Sequence, residues 1–139
     1  MPEHRLELTV LPDRYAICRL EAAAALPEWT LAPGGLVSIT RTDEELAIVC
    51  PEDRVPADFA GAVRGWHGLK VHGPLPLETV GVMAALAHAL AEGGVSLYAM
   101  STYDTDYLLV PHRQLGHAVR ALRHRGHTVH TPLAQAVGA

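Results

Sequence analysis

One stretch constrains this chain more than any other: Gly73 to Val110, GPLPLETVGVMAALAHALAEGGVSLYAMSTYDTDYLLV. Within it, Val82, Met83, Leu86, Ala87 and Leu90 recur at three and four residues, the apolar stripe of one helix. Gly93-Gly94 supplies the permissive backbone of a C-cap. Val95 to Met100 and Tyr107 to Val110 then read as strands joined by the polar run Ser101 to Asp106. Loop, helix, tight turn, strand, polar turn, strand is the grammar of a small sheet with a helix laid on it. A short polar run between apolar strands is where such a domain meets a small ligand.

The flanking segments extend that grammar. Leu69 to His72 reads as a strand before the loop. After Pro111 a second helix follows, with Leu115, Ala118, Val119 and Leu122 on its core side and Arg113, His117, Arg120 and His124 on its wet side. Gly126 caps it, and His127 to His130 forms a last short strand. The order β-α-β-β-α-β is ferredoxin-like. Upstream, Arg5 to Val10 alternates as a half-buried strand and Tyr15 to Leu20 as another. Pro12-Asp13 between them suggests a hairpin. Leu36 to Thr40 and Leu46 to Cys50 form a second hairpin across Arg41 to Glu45. Glu21 to Trp29 has helical composition until Pro27 interrupts it, and Ala57 to Val63 reads as one short helix. The first half thus follows the second in element order, with a weak first helix and no visible sequence repeat.

A chain of 139 residues fits one compact domain or two very small ones sharing a core. Its formal charge of −4 argues against nucleic-acid or anionic-membrane binding, which need a basic surface. The N-terminus lacks the apolar run of a signal peptide, no stretch is long enough to span a bilayer, and a cytoplasmic location is the default expectation. Cys18 and Cys50, in separate strand-like runs, read as small buried hydrophobes rather than a disulfide or zinc framework. The nine histidines read as surface residues. His117 and His124 stand seven apart on one helix face, and no metal motif accompanies them, so neither metal nor cofactor is expected.

Four segments carry a family resemblance: YAICRL (Tyr15 to Leu20), SITRTDEELAIVCPE (Ser38 to Glu52), GWHGLKVHGPLPLETVGVMAALAHALAEGGVSL (Gly65 to Leu97) and STYDTDYLLVP (Ser101 to Pro111). The chain resembles the small tandem-ACT-domain proteins of bacteria, relatives of the ACT repeats in eukaryotic cytosolic arginine sensors. The resemblance implies an α+β fold of two ferredoxin-like βαββαβ units with antiparallel sheets and helices on one face: residues 1–64, residues 65–130, and a flexible tail, 131–139. It implies a non-enzymatic regulatory module, a homodimer, that binds an amino acid or similar effector in the seam between ACT units. The loop would be Pro76, Leu77, Glu78, Thr79, Val80 and Gly81. The facing strand would be Ser96 and Leu97, and the floor and wall Thr102, Tyr103, Thr105 and Asp106. The alternative is an oligomerisation or protein-interaction domain without ligand.

The residues admit that chemistry. An amino-acid carboxylate needs unpaired backbone N–H groups, which the start of a helix at Thr79-Val80-Gly81 offers. Its ammonium needs an acceptor such as Asp104 or Asp106, or strand carbonyls. Gly81 permits close approach of a ligand, though helix packing would equally call for glycine there. Asp104 and Asp106 share a face if they lie in a strand; if they lie in a turn, aspartate is simply at home. Tyr103 and Tyr107 read as core aromatics with exposed hydroxyls. An enzyme built on the two aspartates lacks a nucleophile-and-base pair beside them.

Overall fold

The computed structural model describes residues 4–132. Its strands are β1 (Glu7–Leu20), β2 (Ser38–Arg41), β3 (Leu46–Pro51), β4 (Ala62–Val71), β5 (Tyr98–Ser101), β6 (Asp106–Pro111) and β7 (Thr128–His130). Its helices are α1 (Val82–Glu92) and α2 (Leu115–His124), and short 3₁₀ turns occupy Glu28–Thr30, Glu52–Arg54 and His112–Gln114. The described residues form two compact units, a larger one of residues 4–12 with 67–132 and a smaller one of residues 13–66. The expected tail is described only as far as residue 132; the rest of it lies outside the described residues.

β1 is one 14-residue strand where a hairpin is expected. Proline's fixed φ is compatible with extended backbone, so Pro12 does not force a turn. The partners decide. Tyr15–Leu20 pairs antiparallel with Leu46–Pro51, and Glu7–Thr9 pairs parallel with Thr128–His130. A local hairpin loses to partners far away in sequence. That parallel pair also means that the larger unit's sheet is not purely antiparallel.

In the larger unit the strand order is β7-β1-β4-β6-β5. The segment β4-α1-β5-β6-α2-β7 keeps the expected element order, but β1 is inserted between the first and last strands of that set. Leu8, Val10, Leu69, Val71, Leu108, Val110 and Val129 project from the strands into one core with Val82, Leu86, Ala89 and Leu90 of α1 and Leu115, Ala118, Val119 and Leu122 of α2. The α2 face is the expected one. On α1, Ala89 is buried where Ala87 is expected. Both helices end in Schellman motifs. Val95 N–H donates to Leu90 C=O beyond Gly94 (φ 71°), and His127 N–H donates to Leu122 C=O beyond Gly126 (φ 91°).

The smaller unit is built of β2, β3 and parts of β1 and β4 around Ala16, Cys18, Leu46, Ile48, Cys50 and Val55, with Trp29 and Phe59 packed edge-on at 5.6 Å. Neither helix expected here forms. Residues 21–27 hold one turn, closed by Ala24 N–H donating to Glu21 C=O, before the 3₁₀ turn at Glu28, and Ala62 and Val63 belong to β4. Alanines give helical propensity, but Pro27 removes a donor and clashes with the preceding turn.

A hidden repeat joins the two halves. β2 and β5, β3 and β6, and the 3₁₀ turns at Glu52 and His112 each begin 60 residues apart. So do Gly34 (φ 99°) and Gly94 (φ 71°). Thr42 and Thr102 close equivalent hairpin turns, their N–H groups donating to Glu45 C=O at 2.9 Å and Thr105 C=O at 2.8 Å. From Gly34 to Pro51 the residues shared at this spacing, Gly34/Gly94, Thr42/Thr102 and Pro51/Pro111, are chain punctuation, and the strands between them have diverged.

Candidate functional site

The loop from β4 to α1 is pinned against the β5–β6 turn. Leu75 N–H donates to Asp104 C=O at 2.7 Å. The Thr105 hydroxyl is buried and donates to Val71 C=O at 2.7 Å, at the end of β4. Gly73 is required by this closeness, because a Cβ there would lie 3.0 Å from Asp104 O and 3.1 Å from Thr105 Cβ. Thr79 N–H donates to Pro76 C=O, so Leu77 and Glu78 form the corners of a turn. His4 Nε2 lies 2.7 Å from Val80 O and steadies the far end of the loop.

Between loop, helix and turn lies a cavity of about 240 Å³, lined by Leu75, Pro76, Leu77, Thr79, Gly81 and the first turn of α1, with Ser101, Thr102, Thr105 and Asp106 opposite. Its volume falls below the ~300–1,000 Å³ of drug-sized pockets, which fits a smaller guest. Gly81 is the N-cap of α1 at φ 91°, so it is glycine for its backbone rather than for helix packing. It carries no side chain to cap the helix, and Val82, Met83 and Ala84 follow it along the cavity wall. The first N–H groups of a helix have no intrahelical acceptor and carry the positive end of its dipole. Facing them, the Ser101 hydroxyl donates to Asp106 Oδ1 at 2.7 Å, the two residues being register partners across the β5–β6 hairpin. The cavity therefore presents donors at one end and a carboxylate at the other.

Pro76, Leu77, Thr79, Gly81, Thr102, Thr105 and Asp106 are thus brought together within one unit. The other expected residues lie apart. Glu78 and Tyr103 line a neighbouring hollow with Pro74, Leu75, Pro76, Leu77 and Asp104. Val80 is 79% exposed at the loop tip. Ser96 and Leu97 precede β5 instead of belonging to a strand, and Ser96 N–H donates to Gln114 Oε1 at 3.2 Å. Tyr103, expected as a core aromatic, is 81% exposed at the turn apex, because the turn spans Thr102 to Thr105 and throws its second residue outward. Asp104 sits in that turn while Asp106 opens β6, so the two do not share a strand. Sequence reasoning misses the lining residues Leu75, Val82, Met83, Ala84 and Ser101, of which Ser101 is the polar one. Its signal is the hairpin register, since pairing around Thr102–Thr105 puts Ser101 opposite Asp106.

Comparison with known proteins agrees with this architecture. A sequence-family model for the ACT domain matches residues 62–124, and a second model, for an N-terminal domain, matches residues 13–58. The chain is 31% identical over 113 residues to the cytosolic arginine sensor for mTORC1 subunit 1 of Mus musculus, covering 76% of this chain. It spans about a third (33%) of that relative's length. A crystal structure of an Agrobacterium tumefaciens protein superposes with a TM-score of 0.86 at 37% identity, covering 94% of this chain and 96% of that one. The ligand-free regulatory subunit of aspartate kinase from Thermus thermophilus shares the fold, with a TM-score of 0.56 at 16% identity over 85% of this chain and 96% of that one. With its β4-to-β6 cavity and these relatives, the chain belongs to the ACT-domain family.

Proposed function

We propose that this protein is a non-enzymatic regulatory module that binds an amino acid or similar small zwitterion. The observation that carries the reading is the polarity of the cavity. The uncapped N-terminal turn of α1 stands at one end, and the Asp106 carboxylate with its Ser101 hydroxyl stands at the other. A carboxylate suits the first and an ammonium the second. The arginine-sensing relative supports an effector of this class. In the same reading the chain is a cytoplasmic tandem of two ACT units, near residues 1–64 and 65–130, the first of them without an α-helix among its described residues. The protein acts as a homodimer. β5 ends the strand order of the larger unit, so its edge is open to a second copy, whose Ser96 and Leu97 would close the seam over Glu78, Val80 and Tyr103.

Titration calorimetry and thermal shift against the twenty amino acids test this. At least one should bind with micromolar to millimolar affinity, and Asp106→Ala should weaken it by about tenfold or more, as for loss of a charge-assisted hydrogen bond. No binding at millimolar concentration sinks the amino-acid reading. A second reading, an interaction domain without ligand, draws on Leu77, Val80 and Tyr103, which are 67%, 79% and 81% exposed around the same loop and turn. It predicts self-association, measured by sedimentation velocity, that is lost in Val80→Asp and indifferent to every amino acid.

A further inference from the structure

The cavity uses none of the histidines on the opposite side of the larger unit's sheet. Leu8, Val71 and Val129 point into the core beneath α1 and α2. Neighbouring strand residues alternate in direction, so Glu7, Thr9, His72 and His130 emerge on the other face. There Glu7 Oε2 lies 2.5 Å from His130 Nε2 and 3.7 Å from His72 Nδ1. The two imidazoles stack with centroids 5.6 Å apart and planes 19° apart. One ligand atom from each of the three residues falls within 4.8 Å of the other two. The backbone fixes this spacing: Thr9 is the register partner of His130, and His72 N–H donates to Glu7 C=O at 2.8 Å.

We propose that Glu7, His72 and His130 form a binding site for a divalent transition ion of the zinc class. Two imidazoles and one carboxylate are the donor set such ions prefer, whereas magnesium and calcium seek oxygen alone. Bonds of about 2.0–2.2 Å place tetrahedral ligands about 3.3 Å apart. The present separations, 2.5 and 3.7 Å, bracket that value. All three side chains are exposed and free to make the small rotations required. The support for the ligands is already in place: the Thr9 hydroxyl lies 2.6 Å from His72 Nε2, so it can hold the ring with Nδ1 toward the ion. Three protein ligands leave a position for water or for a donor from another molecule. The residues come from the two ends and the middle of the chain, which is why no sequence motif announces them.

Untagged full-length protein, stripped with a chelator, should be titrated with Co²⁺ while visible d–d bands are followed, and with Zn²⁺ in competition with a chromophoric chelator. One equivalent per chain should bind at micromolar concentration, unaffected by millimolar Mg²⁺. His72→Ala, His130→Ala and Glu7→Gln should each weaken Zn²⁺ by about tenfold or more, and Thr9→Val by about tenfold. His117→Ala, on the outer face of α2, should change nothing. Metal-free melting temperatures establish that the variants fold. His72 lies just past the end of β4, so His72→Ala gives an independent reading if an alteration within β1 or β7 prevents folding. Absence of stoichiometric binding, binding that persists in His72→Ala and His130→Ala, or loss in His117→Ala would overturn the proposal.

Discussion

At Gly81 the backbone takes φ 91°, a region that residues with a Cβ rarely adopt, while an added Cβ would meet no clash, its nearest neighbour being His4 Nε2 at 3.5 Å. Gly81→Ala should therefore cost about 1–2 kcal/mol of left-handed strain, measured by urea unfolding. Gly93 is the opposite case. Its φ of −82° suits any residue, but an added Cβ would lie 2.7 Å from Ala121 Cβ. Gly93→Ala should cost about 1–3 kcal/mol by overpacking α1 against α2, and Ala121→Gly should restore part of it. The thiols are equally specific. Burial pushes Cys50 up to about 11 and raises Cys18 as well. The thiolate is the reactive species, so both cysteines should resist a disulfide reagent at pH 7.5 in the folded protein and react fully in guanidinium. Rapid reaction of the native protein would contradict the packing around them.

At the scale of elements, the strongest periodic segments formed where expected, and the weak ones yielded to context. α2 buries the four residues that its spacing assigns to the core, and its arginines and histidines stay wet. The β2–β3 hairpin is likewise local, with Thr42 accepting from the N–H groups of Glu44 and Glu45 at 3.1 Å each. The Glu21–Pro27 segment shows the limit of propensity: its alanines favour helix, but Pro27 arrives before enough turns accumulate to offset nucleation. The β5–β6 turn joins both sides of the cavity through Thr105. Thr105→Val should remove the buried hydrogen bond to Val71 C=O, a loss of about 1–3 kcal/mol visible in the melting temperature. Because Thr105 also lines the cavity, the same variant should weaken any bound effector, read by calorimetry.

At the scale of the whole molecule, the larger unit is discontinuous in sequence. β1 lies between β7 and β4 in its strand order, and Leu8 and Val10 fill its core. A fragment of residues 62–139 keeps every element of a ferredoxin-like order yet lacks the strand that both β4 and β7 adjoin. It should fail to fold by itself, giving little dispersion in amide proton spectra, and adding a peptide of residues 1–20 should recover order. A well-dispersed spectrum from the fragment alone would show that β1 is dispensable.

The sequence by itself determined the local features of this protein: the apolar stripe of α2, the Gly-Gly end of α1, the β2–β3 hairpin, and the loop and turn whose residues meet at the cavity. Each depends on neighbours within a few positions, where periodicity and backbone preference act directly. Only the tertiary structure decided that Pro12 lies within a single strand and that Glu7, His72 and His130 meet on one face. Those outcomes depend on which strands pair, Glu7 to Thr9 finding Thr128 to His130 at the far end of the chain. That choice is made by burying Leu8, Val10 and Val129 in one core, a free energy that belongs to the assembled sheet and to no segment of the chain alone.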